Sequence, residues 1–166
     1  ILILAFCATF ALFACKSKST DTGDKATTPS EYYEKVIGLE ETMTEPLLTT
    51  EAAIKARSDK KDFEGIARAA KAMEDTVDLR INALKEMEPV GKGAEDFKIV
   101  ATRYFEYIKG IYTTYKKIGE AKTEEERMKA AEEMANVING QQAVMANLQS
   151  AQAKFAADNR FTISPQ

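Results

Sequence analysis

Phe97-Lys98-Ile99-Val100-Ala101-Thr102-Arg103-Tyr104-Phe105-Glu106-Tyr107-Ile108-Lys109-Gly110-Ile111-Tyr112-Thr113-Thr114-Tyr115-Lys116-Lys117-Ile118 is the stretch that decides the fold. Phe97, Ala101, Tyr104, Ile108, Ile111, Tyr115 and Ile118 recur at alternating steps of four and three, a heptad seam. Phe105 and Tyr112 run beside that seam and widen it. The spacing predicts a helix from about Ala94 to Ile118, the most buried of the chain.

Upstream, Phe63, Ile66, Ala70, Met73, Val77, Ile81, Leu84 and Met87 form a second helical stripe, predicted over Asp62 to Met87 with Asp59 or Asp62 as cap. Pro89, Gly91 and Gly93 separate it from the next helix. Before it, Thr28-Pro29-Ser30-Glu31 supplies a capping hydroxyl, a proline at the first helical position and a glutamate three residues after the cap. Tyr32, Val36, Leu39, Met43, Leu47 and Ile54 follow at helical steps. Pro46 interrupts them, which predicts a kink near Thr42–Glu45 or a broken helix.

Downstream, Thr123-Glu124-Glu125-Glu126 repeats the capping box. It opens a fourth helix expected to run unbroken to about Asn159, weakened at Gly140 by about 1 kcal/mol. Residues 160–166 are expected to be an extended tail from which Phe161 and Ile163 pack back onto the helices. No segment alternates with period two. Long helices joined by short connections predict an all-α domain over 29–159, an antiparallel up-down-up-down four-helix bundle.

Composition narrows the chemistry. The chain has 166 residues, a formal charge of −3, no His and no Trp. Without histidine there is no Ser-His-Asp triad and no His-based metal centre. No basic stripe invites nucleic acid. Gly91-Lys92-Gly93 is too short for a phosphate loop. The paired acids Glu40-Glu41, Glu74-Asp75, Glu95-Asp96 and Glu132-Glu133, and the run Glu124–Glu126, are neighbours on helices and point about 100° apart. They read as solvated faces. The methionines fall on apolar stripes and read as core filler. No catalytic residue, cofactor or metal is expected. The tyrosines of the third helix are the set to watch, because Tyr joins an apolar body to a hydrogen-bonding tip. They are core positions reaching the bundle edge or one wall of a partner groove, and Tyr107 and Tyr112 are the candidate partner-binding residues.

The first fifteen residues speak to location. Ile1 to Ala14 carries no charge and ends at Cys15. That run is short for a membrane span, which needs about 20 residues, and suits the apolar region of a secretory signal. Leu12-Phe13-Ala14-Cys15 resembles the lipobox of bacterial lipoproteins, although Phe13 stands where a small residue is usual. That likeness implies cleavage before Cys15 and lipidation of its thiol. An ordinary signal peptide cut after Ala14 and a transmembrane anchor are the alternatives. The signal, 1–14, is expected to lack its own beginning, since the chain starts at Ile1. Residues 15–28 would be the lipidated Cys15 and a flexible Ser/Thr/Lys/Asp tether spanning roughly 20 Å.

Two further segments carry a family likeness. Asp96-Phe97-Lys98 through Tyr104-Phe105-Glu106-Tyr107 to Tyr115-Lys116 is similar to the aromatic third helix of a family of uncharacterised bacterial surface lipoproteins with a helical-bundle domain. Ala151-Gln152-Ala153-Lys154-Phe155-Ala156-Ala157-Asp158-Asn159-Arg160-Phe161 resembles the end of that family's last helix. The resemblance implies an outer-membrane location and a bundle, and carries over no activity. The expectation is therefore a binding module, not an enzyme, anchored in the bacterial envelope through Cys15. Its partner would be an envelope or extracellular protein, with the face of the membrane and the oligomeric state open. A ligand-free structural spacer, or an enzyme with a Tyr/Glu site between the first and third helices, are the rivals.

Overall fold

A computed structural model describes residues 25–163. Six helices occur among them: α1 (Pro29–Glu41), α2 (Thr44–Asp59), α3 (Phe63–Glu86), α4 (Ala94–Glu120), α5 (Glu124–Asn139) and α6 (Gln141–Asn159). No strand occurs among the described residues. The leader, Cys15 and most of the expected tether lie outside them.

The helix starts follow their local chemistry. Thr28 caps α1 and Thr123 caps α5, each by a reciprocal box with the glutamate three residues on. Asp62 caps α3 through the Gly65 amide at 2.9 Å. The break in the first span falls at Thr42–Met43. Pro46 then sits in the first turn of α2, where a missing amide hydrogen costs nothing.

The fourth span differs from its expectation. It is divided at Gly140, a turn residue with φ −78° and ψ −11° that ends α5 and begins α6. Glycine gives the helix no side chain to bury and the most backbone freedom to lose. The flanking Asn139, Gln142 and Ala143 are exposed, so packing there does not override that weakness.

Cross-helix contacts set the register. Along α3 and α4, Lys98 Nζ donates to the carbonyls of Lys85 and Met87, each at 2.7 Å. Lys109 then meets Asp78, Lys116 meets Glu74, and Gly119 lies on the Phe63–Ala67 backbone. Residue numbers rise along one helix as they fall along the other. The same holds for α4 against α5 and α6, through Lys117 with Glu133, Thr114 with Met134 and Phe97 with Phe155. Between α2 and α3, Thr50 reaches Met73 and Arg57 reaches Asp62. The chain is a helical, bundle-like fold whose core runs along α3 and α4.

One end of that core is aromatic. Phe97 stacks on Phe155 at 5.2 Å, and Tyr32 meets both edge-on. Phe161 folds back onto Phe155 and Tyr33. The α3–α4 connection is fastened at this pole. The Lys92 amide donates to Asn159 Oδ1, and Asn159 Nδ2 donates to the Lys92 carbonyl, both at 2.9 Å. Gly91 passes there at φ 109°. A Cβ would meet Asn159 Oδ1 at 2.7 Å and Pro29 at 2.8 Å.

Two expectations about side chains need correction. Met128 is 60% exposed, whereas Met43, Met73 and Met134 are in the core. Glu74 is not on a solvated face but is 5% exposed. It sits where α3 and α4 cross, and there Lys116 and Thr113 supply the hydrogen bonds that water would.

Candidate functional site

The tyrosines of α4 divide between core and seam. Tyr112 is 1% exposed and Tyr104 7%, while Tyr107 and Tyr115 are half-buried. Tyr112 was expected to help bind a partner. Its ring instead fills the core beside Tyr115, which puts it out of reach of anything docking on this surface. Tyr107 is closer to its expected place, but its hydroxyl is buried and finds no hydrogen-bond partner among the described residues.

The unforeseen member is Glu40. It is the penultimate residue of α1, two residues before the break, and is half-buried. The Tyr104 hydroxyl is directed at its carboxylate. Burial pushes the Glu40 carboxyl up, the Tyr104 hydrogen bond pulls against that, and Glu41 adds to the rise. Tyr104 is held far above the ordinary phenol range, first by burial and then by the charge of Glu40. Two turns into α2, burial likewise raises Glu51, whose charge acts on Tyr112 and Tyr115. The first and third spans thus share a seam of phenols and carboxyls. Its sequence signal was Glu40 itself, four residues after Val36 on the inward side of α1. Pairing it with Glu41 as a solvated face concealed it.

Both helix breaks fall at the level of this seam. Glu40 fixes the first against Tyr104, and Val137 approaches Gly110 near the second. Chemically the cluster offers a carboxyl that keeps its proton readily and phenols that do not give theirs up. That suits hydrogen bonding to a polar group. It does not suit nucleophilic attack, which needs a lowered pKa or an adjacent base.

A separate hollow of about 410 Å³ lies between α4 and α6, with Val100, Val144 and Ala151 in its wall and Arg103 at its rim. No group of three or more His, Cys, Asp and Glu residues able to hold a metal occurs among the described residues. No described helix is long and apolar enough to cross a membrane. Cys15, the expected lipid site, lies outside the described residues. Compared with protein-family models, curated proteins and solved structures, the chain finds no match.

Proposed function

We propose that this chain is a lipid-anchored protein of a bacterial outer membrane, held through Cys15, whose helical domain binds a partner protein or envelope component. The domain is read as an up-down-up-down four-helix bundle, with α1 and α2 together as one span, α3 and α4 as two more, and α5 with α6 as the last. The opposed registers of α3 and α4, and of α4 with α5 and α6, support that arrangement.

The observation that carries the anchor is the uncharged run Ile1–Ala14 ending at Ala14-Cys15, with a polar stretch after it and a capped helix beginning at Pro29. Acyl chains hold a protein by about 0.8 kcal/mol for each buried methylene, and more than one chain is needed for stable attachment. Tethering a rigid domain raises its local concentration at the surface and strengthens weak contacts. Metabolic labelling with a clickable fatty acid tests this reading. Wild type should take up label and Cys15→Ala should take up none. Equal label in both ends it.

A second reading, a reactive Tyr/Glu site between the first and third spans, draws support from Tyr104 beside Glu40. The upward displacement of every phenol in that seam favours recognition over reaction, so binding ranks first.

A further inference from the structure

The hollow between α4 and α6 has a volume of about 410 Å³, within the range of about 300–1,000 Å³ that small-molecule pockets occupy. Its wall is apolar along Val100, Val144 and Ala151, and ends at the stacked pair Phe97 and Phe155. The charges along its rim are unevenly matched. At the Phe97 end, Asp158 pairs with Lys92 at 3.1 Å and with Lys154 at 2.6 Å, and Asp96 acts on Lys154 as well. That end is internally neutralised.

Arg103 stands six residues along α4 from Phe97, with Asn147 and Ser150 opposite on α6. Its guanidinium makes no hydrogen bond or ion pair among the described residues, and the Asn147 and Ser150 side chains make none either. Arg103 also borders a second hollow on its α3 side, together with Glu106, yet the two are not paired. An arginine offers five donors in a planar fork suited to a carboxylate, and it sheds water more easily than a lysine. An uncompensated fork at one end of an apolar trough favours a ligand with one anionic head and an apolar body. From Arg103 to Phe97 the helix rises about 9 Å, which suits a medium-length chain.

We propose that the α4–α6 hollow binds a single-chain amphiphile with a carboxylate head, the head on Arg103 and the chain along Val100, Val144 and Ala151 towards Phe97 and Phe155. The proposal names a ligand class for the binding module put forward above and rests on that reading. Its site differs from the tyrosine seam and from Cys15.

The test is a methyl NMR titration of the full chain, with the Val100, Val144 and Ala151 signals resolved. The probes are decanoate, decyltrimethylammonium and decanol. Site-resolved signals exclude any association of the apolar leader with the probe. Decanoate should move all three signals saturably, and hexanoate should bind more weakly, by up to about fourfold for each methylene removed. Arg103→Gln should weaken decanoate at least tenfold and leave decanol unchanged. Arg103 is exposed, so the variant keeps its fold. Ala151→Trp should fill the trough and abolish binding of every probe, with helicity retained by circular dichroism. Three results overturn the proposal: signals unmoved by decanoate, decyltrimethylammonium binding as well as decanoate, or Arg103→Gln binding like wild type. None of these alters fatty-acid labelling at Cys15, so the two readings fail separately.

Discussion

The inner helices α3 and α4 and the outer spans α1–α2 and α5–α6 are built differently. The inner pair is unbroken over 24 and 27 residues. It is bolted by buried or half-buried charge, through Glu74 with Lys116 and Asp78 with Lys109, and by a backbone approach at Gly119. Each outer span is broken near its middle, and no cap side chain secures the start of α2 or α6. The longest unbroken helices and the most buried ion pair thus lie in one hairpin.

The largest break of that comparison is Lys116→Met. It leaves the Glu74 carboxylate, 7% exposed at the side chain, without its cation. Stripping a buried pair of one partner costs about 3 kcal/mol, whereas replacing both with apolar groups is close to neutral. Urea unfolding should therefore show a marked loss in Lys116→Met and most of it recovered in Glu74→Leu/Lys116→Met. A double variant as unstable as the single would mean that the ion pair is not the bolt.

Next in size is Gly119→Ala. A Cβ there would stand 2.5 Å from the Ala67 amide nitrogen and 2.5 Å from the Phe63 carbonyl oxygen, and backbone cannot swing aside. Forcing the helices apart costs about 2 kcal/mol. A melting temperature unchanged in this variant would remove the close approach from the account.

The smallest effect separates the two seams by pH. Burial raises Glu74, but Lys116 and Thr113 outweigh it and hold the carboxyl below its ordinary value. Its contribution is complete above the unfolded value of 4.5 and is lost as pH falls through the folded one. Glu40 is raised, so its folded form takes up a proton first, and acidification from neutrality favours folding at that seam. Each pKa unit is worth on the order of 1 kcal/mol. Glu40→Gln should gain stability over wild type at pH 7, and the gain should shrink as pH falls towards 4.5. A pH-independent difference would take Glu40 out of its buried setting.

Much of the architecture was legible because caps and apolar periods act locally. Asp62, Thr28 and Thr123 cap the helices whose starts they predicted, and Pro46 announced the division of the first span. The heptad line on α4 held only at its start. Phe97, Ala101, Tyr104 and Ile108 are buried, but Phe105 and Tyr112 are also in the core, while Ile111, Tyr115 and Ile118 are only half-buried. A helix with 3.6 residues per turn drifts about 20° per heptad from a 3.5 repeat, and over two heptads the inward side passes to the flank. That drift carries Tyr112 from the flank of the seam into the core. Glu40 and Glu74 were hidden for another reason. Whether an acid is solvated depends on what crosses it, and Tyr104 and Lys116 are each more than forty positions away in the chain.

The clasp between Lys92 and Asn159 has a mechanical meaning. Pro29, Gly91 and Asn159 meet at one pole, so the domain begins and ends side by side. A tug on the stretch before Pro29 would load the ring contacts that Tyr32 and Tyr33 make with Phe97, Phe155 and Phe161. Cargo fused after the last helix would ride next to Pro29, and the Lys60–Asp62 and Ala121–Thr123 turns would lie at the opposite end.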